Sequence, residues 1–149
     1  MNQSIRFHAL GFLARREHGR QELIKKLVRK GHDEIEAQTV VAQLASEDMQ
    51  SDRRFCSGYI ASRLARGFGA RYCSHALKQR GIDAELVQQS LVALSEDFDM
   101  ALLALWQRKY NVVATDIAGH QKQLRFLLQR GFEPDSVRAL LRDLQQGNK

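Results

Sequence analysis

The sequence predicts an all-α protein built from three tandem three-helix repeats, helix-turn-helix-like, in an elongated, curved arrangement. Three observations support this prediction. Glycines and leucines recur every 50 residues, apolar residues recur at helical spacing, and proline occurs once in 149 residues. No alternating run of Val, Ile or Thr indicates a strand. The repeat divides the chain into modules at 1–50, 51–100 and 101–149.

Two sets of glycines define the repeat, and they are Gly31, Gly81 and Gly131 together with Gly19, Gly69 and Gly119. Each glycine of the first set lies in a tetrad that runs basic residue, glycine, any residue, acidic residue, at 30–33, 80–83 and 130–133. A cation suits the last turn of a helix, glycine suits the left-handed residue after it, and an acidic side chain caps the next helix. Each tetrad therefore predicts the end of one helix and the start of another.

The first module predicts three helices, one for each apolar stripe. The stripes are Ile5, Ala9, Phe12 and Leu13, then Leu23, Ile24, Leu27 and Val28, then Ile35, Val41 and Leu44. Asp33 and Glu36 have the spacing of a capping box at the start of the third helix. We therefore expect Ile35 to pack in the core with the rest of its stripe.

The second and third modules repeat this pattern. Their stripes are Phe55, Tyr59, Ile60 and Leu64, then Tyr72, Cys73 and Leu77, then Leu86, Val87, Leu91 and Leu94, then Leu102, Leu105, Trp106 and Tyr110, then Leu124, Leu127 and Leu128, then Val137, Leu140, Leu141 and Leu144. Pro134 suits the first position of the last helix, where its missing N–H costs nothing. Cys56 and Cys73 have no CxxC partner and are expected in the core.

No motif for catalysis, a metal or a cofactor is recognisable. Gly67-Phe68-Gly69 is not followed by the Lys-Ser/Thr pair of a phosphate-binding loop, and the five histidines are scattered. We therefore expect a protein that is not an enzyme, with no catalytic residue, no metal and no cofactor. No apolar run approaches the roughly 20 residues that span a bilayer. The start of the chain also lacks a signal-peptide pattern, so we expect a cytoplasmic protein without a membrane partner.

The net charge of +6 favours an anionic partner. The three modules carry net charges of +1, +1 and +4, but the cations cluster locally. The candidate partner contacts are Arg15, Arg16, Arg20, Lys25, Lys26, Arg29, Lys30, Arg53, Arg54, Arg63, Arg66, Arg71 and Arg80. Arg16 and Arg66 share a repeat position, and so do the basic residues of the tetrads. Stacked modules would align such cations in a stripe able to follow a protein filament or nucleic acid.

The residues also resemble a known family over nearly the whole chain. The second module carries Asp52-Arg53-Arg54-Phe55-Cys56, then Tyr59, Arg63, Gly67, Gly69, Leu77 and Arg80-Gly81-Ile82, and the first carries Arg15-Arg16-Glu17-His18, then Glu22-Leu23, Leu27 and Gly31. In order and spacing these residues are similar to those of RecX, the family of bacterial regulators of the RecA recombinase. The family often has other residues at Gly19, Ser51, Cys56 and Cys73, which are expected cap and core positions.

The resemblance implies a regulator that acts in DNA repair, recombination and the SOS response. RecX proteins bind in the groove of the RecA–DNA filament and inhibit its ATPase, strand-exchange and coprotease functions. On this basis the RecA filament is the expected partner, and the arginines of the second module are expected to matter most. They are Arg53, Arg54, Arg63, Arg66 and Arg71. No heptad seam is evident, so a monomer is expected.

Two other functions are compatible with the sequence. Three-helix units resemble helix-turn-helix modules, so the chain could bind DNA independently of any protein. The third helix of the second module offers Glu85, Gln88 and Gln89 but no arginine, which disfavours specific base contacts. Weak, salt-sensitive binding to single- or double-stranded DNA remains compatible with the charge. A purely structural helical scaffold is the other alternative, and it would need no stripe of cations.

Overall fold

The computed structural model describes residues 2–147, and within that range the chain forms nine helices and no strand. The helices are α1 (Asn2–Arg15), α2 (Arg20–Arg29), α3 (Glu34–Ser46), α4 (Asp52–Ala65), α5 (Ala70–Gln79), α6 (Ala84–Ala93), α7 (Ser95–Lys109), α8 (Ile117–Gln129) and α9 (Pro134–Gly147). The predictions of an all-α protein and of three helices per repeat are confirmed. None of the described helices combines the length and apolar character needed to span a membrane.

The tetrads end and start helices as predicted. Their glycines have φ angles of 104° at Gly31, 81° at Gly81 and 89° at Gly131, a region that residues with a β-carbon rarely adopt. In the first tetrad the Gly31 N–H donates to Val28 O at 2.9 Å, and the His32 N–H donates to Leu27 O at 3.1 Å. This pair of bonds is the Schellman arrangement, which satisfies the last carbonyls of α2. The next helix is capped by Asp33, whose carboxylate accepts from the Glu36 N–H at 3.0 Å.

Two compact units make up the fold, and each crosses the module boundaries. The first unit comprises Met1–Tyr59 with Leu77–Ser90. Its core lies between α1, α2 and α3 and consists of Ile5, Ala9, Leu23, Ile24, Leu27, Ala37, Val40, Val41 and Leu44. The expectation that Ile35 joins this core is wrong, because its side chain is 73% exposed. At 100° per residue Ile35 lies on the side of α3 opposite to Leu44, which faces the core.

The second unit comprises Ile60–Ala76 with Leu91–Lys149. Its buried residues include the predicted stripes of α7, α8 and α9, among them Leu102, Trp106 and Leu127. The Trp106 indole N–H donates to Gln123 Oε1 at 2.9 Å, and the Gln123 amide donates to Val112 O at 3.0 Å. These bonds hold the loop between α7 and α8 against the helices.

Of the two expected module boundaries, one falls between helices and the other falls inside a helix. The boundary at 50 and 51 lies in the turn between α3 and α4, whereas the boundary at 100 and 101 lies inside α7. We propose placing the second boundary between residues 94 and 95, because each module then contains three whole helices.

In the first unit, the start of α2 meets the tetrad of the following module. Ile82 is buried, and its Cδ1 lies 3.3 Å from the place that a β-carbon on Gly19 would take. On the other side, Gln21 Cγ lies 2.9 Å from the place of a β-carbon on Gly81. We call this contact between a helix start and the next module's tetrad the interlock.

The second unit contains a tighter interlock, between the start of α5 and the third tetrad. The Gly69 N–H donates to Arg130 O, and the Arg71 N–H donates to Gly131 O, both at 2.8 Å. A β-carbon on Gly69 would lie 2.4 Å from Phe132 N, a distance that real β-carbons do not show. The glycine here is therefore required by the close approach of two backbones. At the second interlock the two glycine sets of the repeat meet directly, whereas at the first interlock Gly19 meets Ile82 and Gly81 meets Gln21.

Gly31, the first glycine of one set, and Gly119, the last glycine of the other set, take part in no interlock. Apart from its chain neighbours, no described atom lies within 4 Å of the place of a β-carbon on Gly31. In the third module α8 begins earlier than the repeat predicts, so Gly119 lies inside the helix. The Asp116 carboxylate accepts from the Gly119 N–H at 2.9 Å and lies 2.6 Å from the place of a β-carbon there. The position that receives a tetrad in the other modules is thus filled by Asp116.

Candidate functional site

The first unit contains a basic groove beside α2 and the end of α5. It has a volume of about 290 Å³ and is lined by Glu22, Lys25, Lys26, Arg29, Gln79 and Arg80. The four residues from α2 recur at helical spacing, so they share the face opposite to the buried Leu23 and Leu27. Arg80 belongs to the second tetrad and reaches the groove because the interlock places that tetrad next to α2. We call these six residues the basic groove.

Lys26 is held in the groove by a buried histidine. Its ammonium lies 2.9 Å from His18 Nε2, and His18 Nδ1 lies 3.0 Å from Arg16 O. The ammonium must donate to Nε2, so the other ring nitrogen carries the proton and donates to the carbonyl. Burial lowers the pKa of His18, which keeps this ring neutral and able to accept. Burial and, after it, the positive charge of Arg16 lower the pKa of Lys26.

Two further contacts order the groove. The Arg80 guanidinium lies 4.9 Å from the centre of the Tyr59 ring, a cation–π distance. Glu22, the acidic residue of the groove, accepts two bonds from the Arg16 guanidinium at 2.7 and 3.1 Å. Burial opposes ionisation of Glu22, but the bonds to Arg16 outweigh burial and leave the pKa of Glu22 lowered.

The groove therefore concentrates positive charge. Four cations line it, and its one carboxylate is already paired with Arg16, which lies outside the lining. Like charges held together raise the local potential and attract anions. Phosphate groups and the carboxylates of an acidic protein surface are both suitable ligands, because each accepts charge-assisted hydrogen bonds from Lys and Arg.

The other candidates of the first unit are arranged differently. Arg15, Arg20 and Lys30 are exposed near α2, and Lys30 Nζ lies 5.7 Å from the centre of the Phe12 ring. Arg53 donates to Gln89 Oε1 at 3.2 Å. Arg54 forms ion pairs of 2.9 Å with both Glu17 and Asp48, so little of its charge is left for a partner. These five residues do not line the groove.

The remaining candidates, Arg63, Arg66 and Arg71, belong to the second unit. Arg66 and Arg71 are exposed, whereas Arg63 is half-buried. Their part in binding stays a prediction. The predicted stripe of tetrad cations loses one member, because Arg130 donates to Gly67 O at 3.0 Å and stacks 4.0 Å from the Phe68 ring. Arg130 therefore acts as a clamp within the second unit.

The candidate residues named from the sequence include all four cations of the groove but not the residues that position them. His18 and Tyr59 were assigned to no site, although His18 holds Lys26 and Tyr59 lies under Arg80. The only signal in the sequence is that both residues occur among those that carry the resemblance. Their contacts join residues 8 and 21 positions apart, and only the folded chain reveals them.

Comparisons with known proteins identify the fold and the family. Family models match all three modules: "RecX, first three-helix domain" at residues 8–44, "RecX, second three-helix domain" at 51–91 and "RecX, third three-helix domain" at 96–141. A protein named Regulatory protein RecX from Herminiimonas arsenicoxydans is 35% identical over 93% of this chain and 91% of its own length. Another of that name from Chromobacterium violaceum is 34% identical over 93% and 90%.

A solved structure supports the same architecture. The crystal structure of RecX from Lactobacillus salivarius superposes with a TM-score of 0.84 and covers 97% of both chains at 19% sequence identity. At this identity the similarity bears on the fold alone. The three family matches and the relatives at about 35% identity establish the relationship, and the chain belongs to the RecX family.

Proposed function

We propose that this protein is a negative regulator of the RecA recombinase, and that it binds in the groove of the RecA–DNA filament. Binding there would inhibit the ATPase, strand-exchange and coprotease functions of RecA. The relatives are named regulatory proteins, which suits a protein that acts by binding rather than by catalysis. A filament of protein and nucleic acid presents both carboxylates and phosphates, the two anions that suit the basic groove.

The basic groove is the observation on which this proposal rests. Lys25 and Arg29 are exposed, and Lys26 and Arg80 are held in place by His18 and Tyr59. Cations that are already ordered lose less conformational freedom when a ligand binds. This ordering supports a role of the groove in binding and distinguishes its cations from Arg54, which is neutralised by its own carboxylates.

The test is RecA ATPase activity on single-stranded DNA, with this protein titrated in. The wild-type protein should inhibit, and the double variant K25E/R29E should need at least about tenfold more protein for half inhibition, which corresponds to roughly 1.4 kcal/mol of lost binding energy. The matched control is R138E/R142E, because both arginines are exposed on α9 and have the same i, i+4 spacing. The control makes the same change in net charge outside the groove.

The outcomes separate specific from general electrostatics. Inhibition that weakens equally in both double variants would indicate attraction by net charge alone and would contradict a role of the groove. No inhibition by the wild-type protein would refute the proposed function. Binding of the wild-type protein to duplex DNA without RecA, with a steep dependence on salt, would favour the alternative of an independent DNA-binding protein.

A further inference from the structure

We propose that the first tetrad, Lys30–Asp33, is a docking surface for the start of a helix in a partner protein. The inference rests on the proposed function, since it takes this partner to be a subunit of the RecA filament. The argument depends on what covers the same tetrad in the other two modules and on what surrounds it in the first. We call residues 30–33 the Gly31 turn.

The interlocks define the ligand that a tetrad accepts. In the second unit, carbonyls of the third tetrad accept N–H groups from Gly69 and Arg71 at the start of α5. The first N–H groups of a helix have no partner within the helix, so they are natural donors to such carbonyls. In the first unit the start of α2 contacts the second tetrad through a side chain, with Gln21 Cγ 2.9 Å from the place of a β-carbon on Gly81, while the Arg20 N–H donates to Asp52 Oδ1. Two of the three tetrads are thus contacted by the start of a helix.

The Gly31 turn has the same backbone form but is left open. Gly31 has a φ of 104°, in the region of the other two tetrad glycines, and no described atom beyond its chain neighbours approaches the place of its β-carbon within 4 Å. Within this chain, the starts of α2 and α5 are engaged in interlocks, and the start of α8 is closed by Asp116. The helix starts at the repeat position that contacts a tetrad are therefore taken, and we assign the occupant of the Gly31 turn to another protein.

Three exposed residues near the Gly31 turn are apolar, whereas their equivalents in the second module are polar or charged. Phe7 and Ile35 are each 73% exposed, and Val28 is 39% exposed. At the same repeat positions the second module has Ser57, Lys78 and Glu85. Exposed apolar groups next to an open turn are typical of protein interaction surfaces.

A row of aromatic rings connects part of this surface to the turn. Phe7 lies edge-on to His8 with ring centres 5.7 Å apart, and the rings of His8 and His32 are 5.0 Å apart. His8 Nδ1 and His32 Nε2 share a hydrogen bond of 2.7 Å. His32 stands at the repeat position of the buried Ile82 and Phe132 in the other tetrads. The Gly31 turn therefore has a polar ring where the other tetrads have an apolar side chain. A helix start can therefore reach the Gly31 turn beside an ordered aromatic surface.

The repeat supplies the variant that tests this surface. The triple variant F7S/V28K/I35E replaces the three exposed apolar residues by those that the second module uses at the same positions, and it leaves the net charge unchanged. The control variant V92S/V112K/I117E makes the same kinds of change at apolar residues that are also exposed, in the second unit. Circular dichroism verifies that both variants keep the wild-type helix content.

Binding to fluorescently labelled RecA filaments on single-stranded DNA is measured by anisotropy. We expect at least tenfold weaker binding for F7S/V28K/I35E and a change of less than twofold for the control. Hydrogen exchange should also slow at the amides of residues 28–35 when the wild-type protein binds filaments. Wild-type affinity in the triple variant, or unchanged exchange at these amides, would overturn the docking surface while leaving the proposed function intact. If the wild-type protein does not bind filaments, the proposed function fails and this inference fails with it.

Discussion

Replacement of Gly69 by alanine should destabilise the protein strongly, because the interlock leaves no room for a β-carbon. The added carbon would lie 2.4 Å from Phe132 N, 2.5 Å from Phe132 Cα and 2.6 Å from Gly131 C. All three atoms belong to the backbone, so relief requires the third tetrad to move away as a whole. Overpacking of this kind costs about 1–3 kcal/mol.

The movement would also break the two 2.8 Å hydrogen bonds between the start of α5 and the third tetrad. Each backbone bond contributes about 1 kcal/mol net, so the total loss is about 3–5 kcal/mol. For a protein of this size the melting temperature should fall by at least roughly 6 °C. The assay is thermal unfolding followed by circular dichroism at 222 nm, together with the urea midpoint.

Two other glycines serve as controls in the same experiment. Gly58 lies in the middle of α4, and beyond the backbone of that helix no described atom lies within 4 Å of the place of its β-carbon, so alanine there should stabilise by about 0.5–1 kcal/mol. At Gly19 the nearest atom is the flexible end of Ile82 at 3.3 Å, so alanine there should cost less than at Gly69. A melting temperature of G69A within about 2 °C of that of G58A would refute the reasoning about the interlock.

Three further predictions concern buried contacts. R130A should lower the unfolding free energy by about 1–3 kcal/mol in urea titrations, because the Arg130 guanidinium donates to two carbonyls after α4. The control R138A, at an exposed site with an ion pair of 3.8 Å, should change the unfolding free energy by at most about 0.5 kcal/mol. Burial lowers the pKa of His18, so below about pH 6.5 the unfolded state binds a proton more readily than the folded state, and stability falls as the pH falls. H18F should therefore reduce the difference between the urea midpoints at about pH 7.5 and about pH 5. An unchanged difference would contradict this prediction. Burial raises the pKa of Cys73 to about 11 and also raises that of Cys56, so both thiols should react with a disulfide reagent only after unfolding, and rapid reaction of the native protein would be the contrary result.

The helix boundaries could be predicted from the sequence because the signals that set them are local. A cation, a glycine and an acidic cap within four residues determine where α2 ends and α3 begins, and Asp33 caps α3 as expected. The apolar pattern was less reliable near helix starts. The stripe of the third helix predicts a buried Ile35, but the position of this residue along α3 turns its side chain to solvent.

The interlocks could not be predicted in the same way. Gly69 and Gly131 are 62 positions apart, and their contact is formed by backbone atoms. The sequence therefore shows only two glycines and gives no sign that they lie close together. The repeat revealed both glycine sets, but nothing local indicates that one set packs against the other. The capping explanation of the tetrads was therefore correct but incomplete.

The candidate site was partly predictable for a similar reason. Lys25, Lys26 and Arg29 are close in the sequence and remain close on one face of α2. Arg54 follows another arginine, Arg53, in the sequence, yet Glu17, 37 positions away, forms an ion pair with Arg54 and neutralises much of its charge. Charge clusters within a helix can be recognised from spacing, whereas neutralisation by a distant carboxylate depends on the tertiary fold.

Asp116 has a consequence for how a protein of this kind can be lengthened. A further copy placed after the third module would bring its own glycine turn against a helix start where a carboxylate already occupies the space beside Gly119. A copy duplicated in the interior would instead find a bare glycine at each new junction, as at Gly19 and Gly69. Internal duplication therefore meets open space at each new junction, whereas extension beyond the third module meets the Asp116 carboxylate, which would have to move or be replaced.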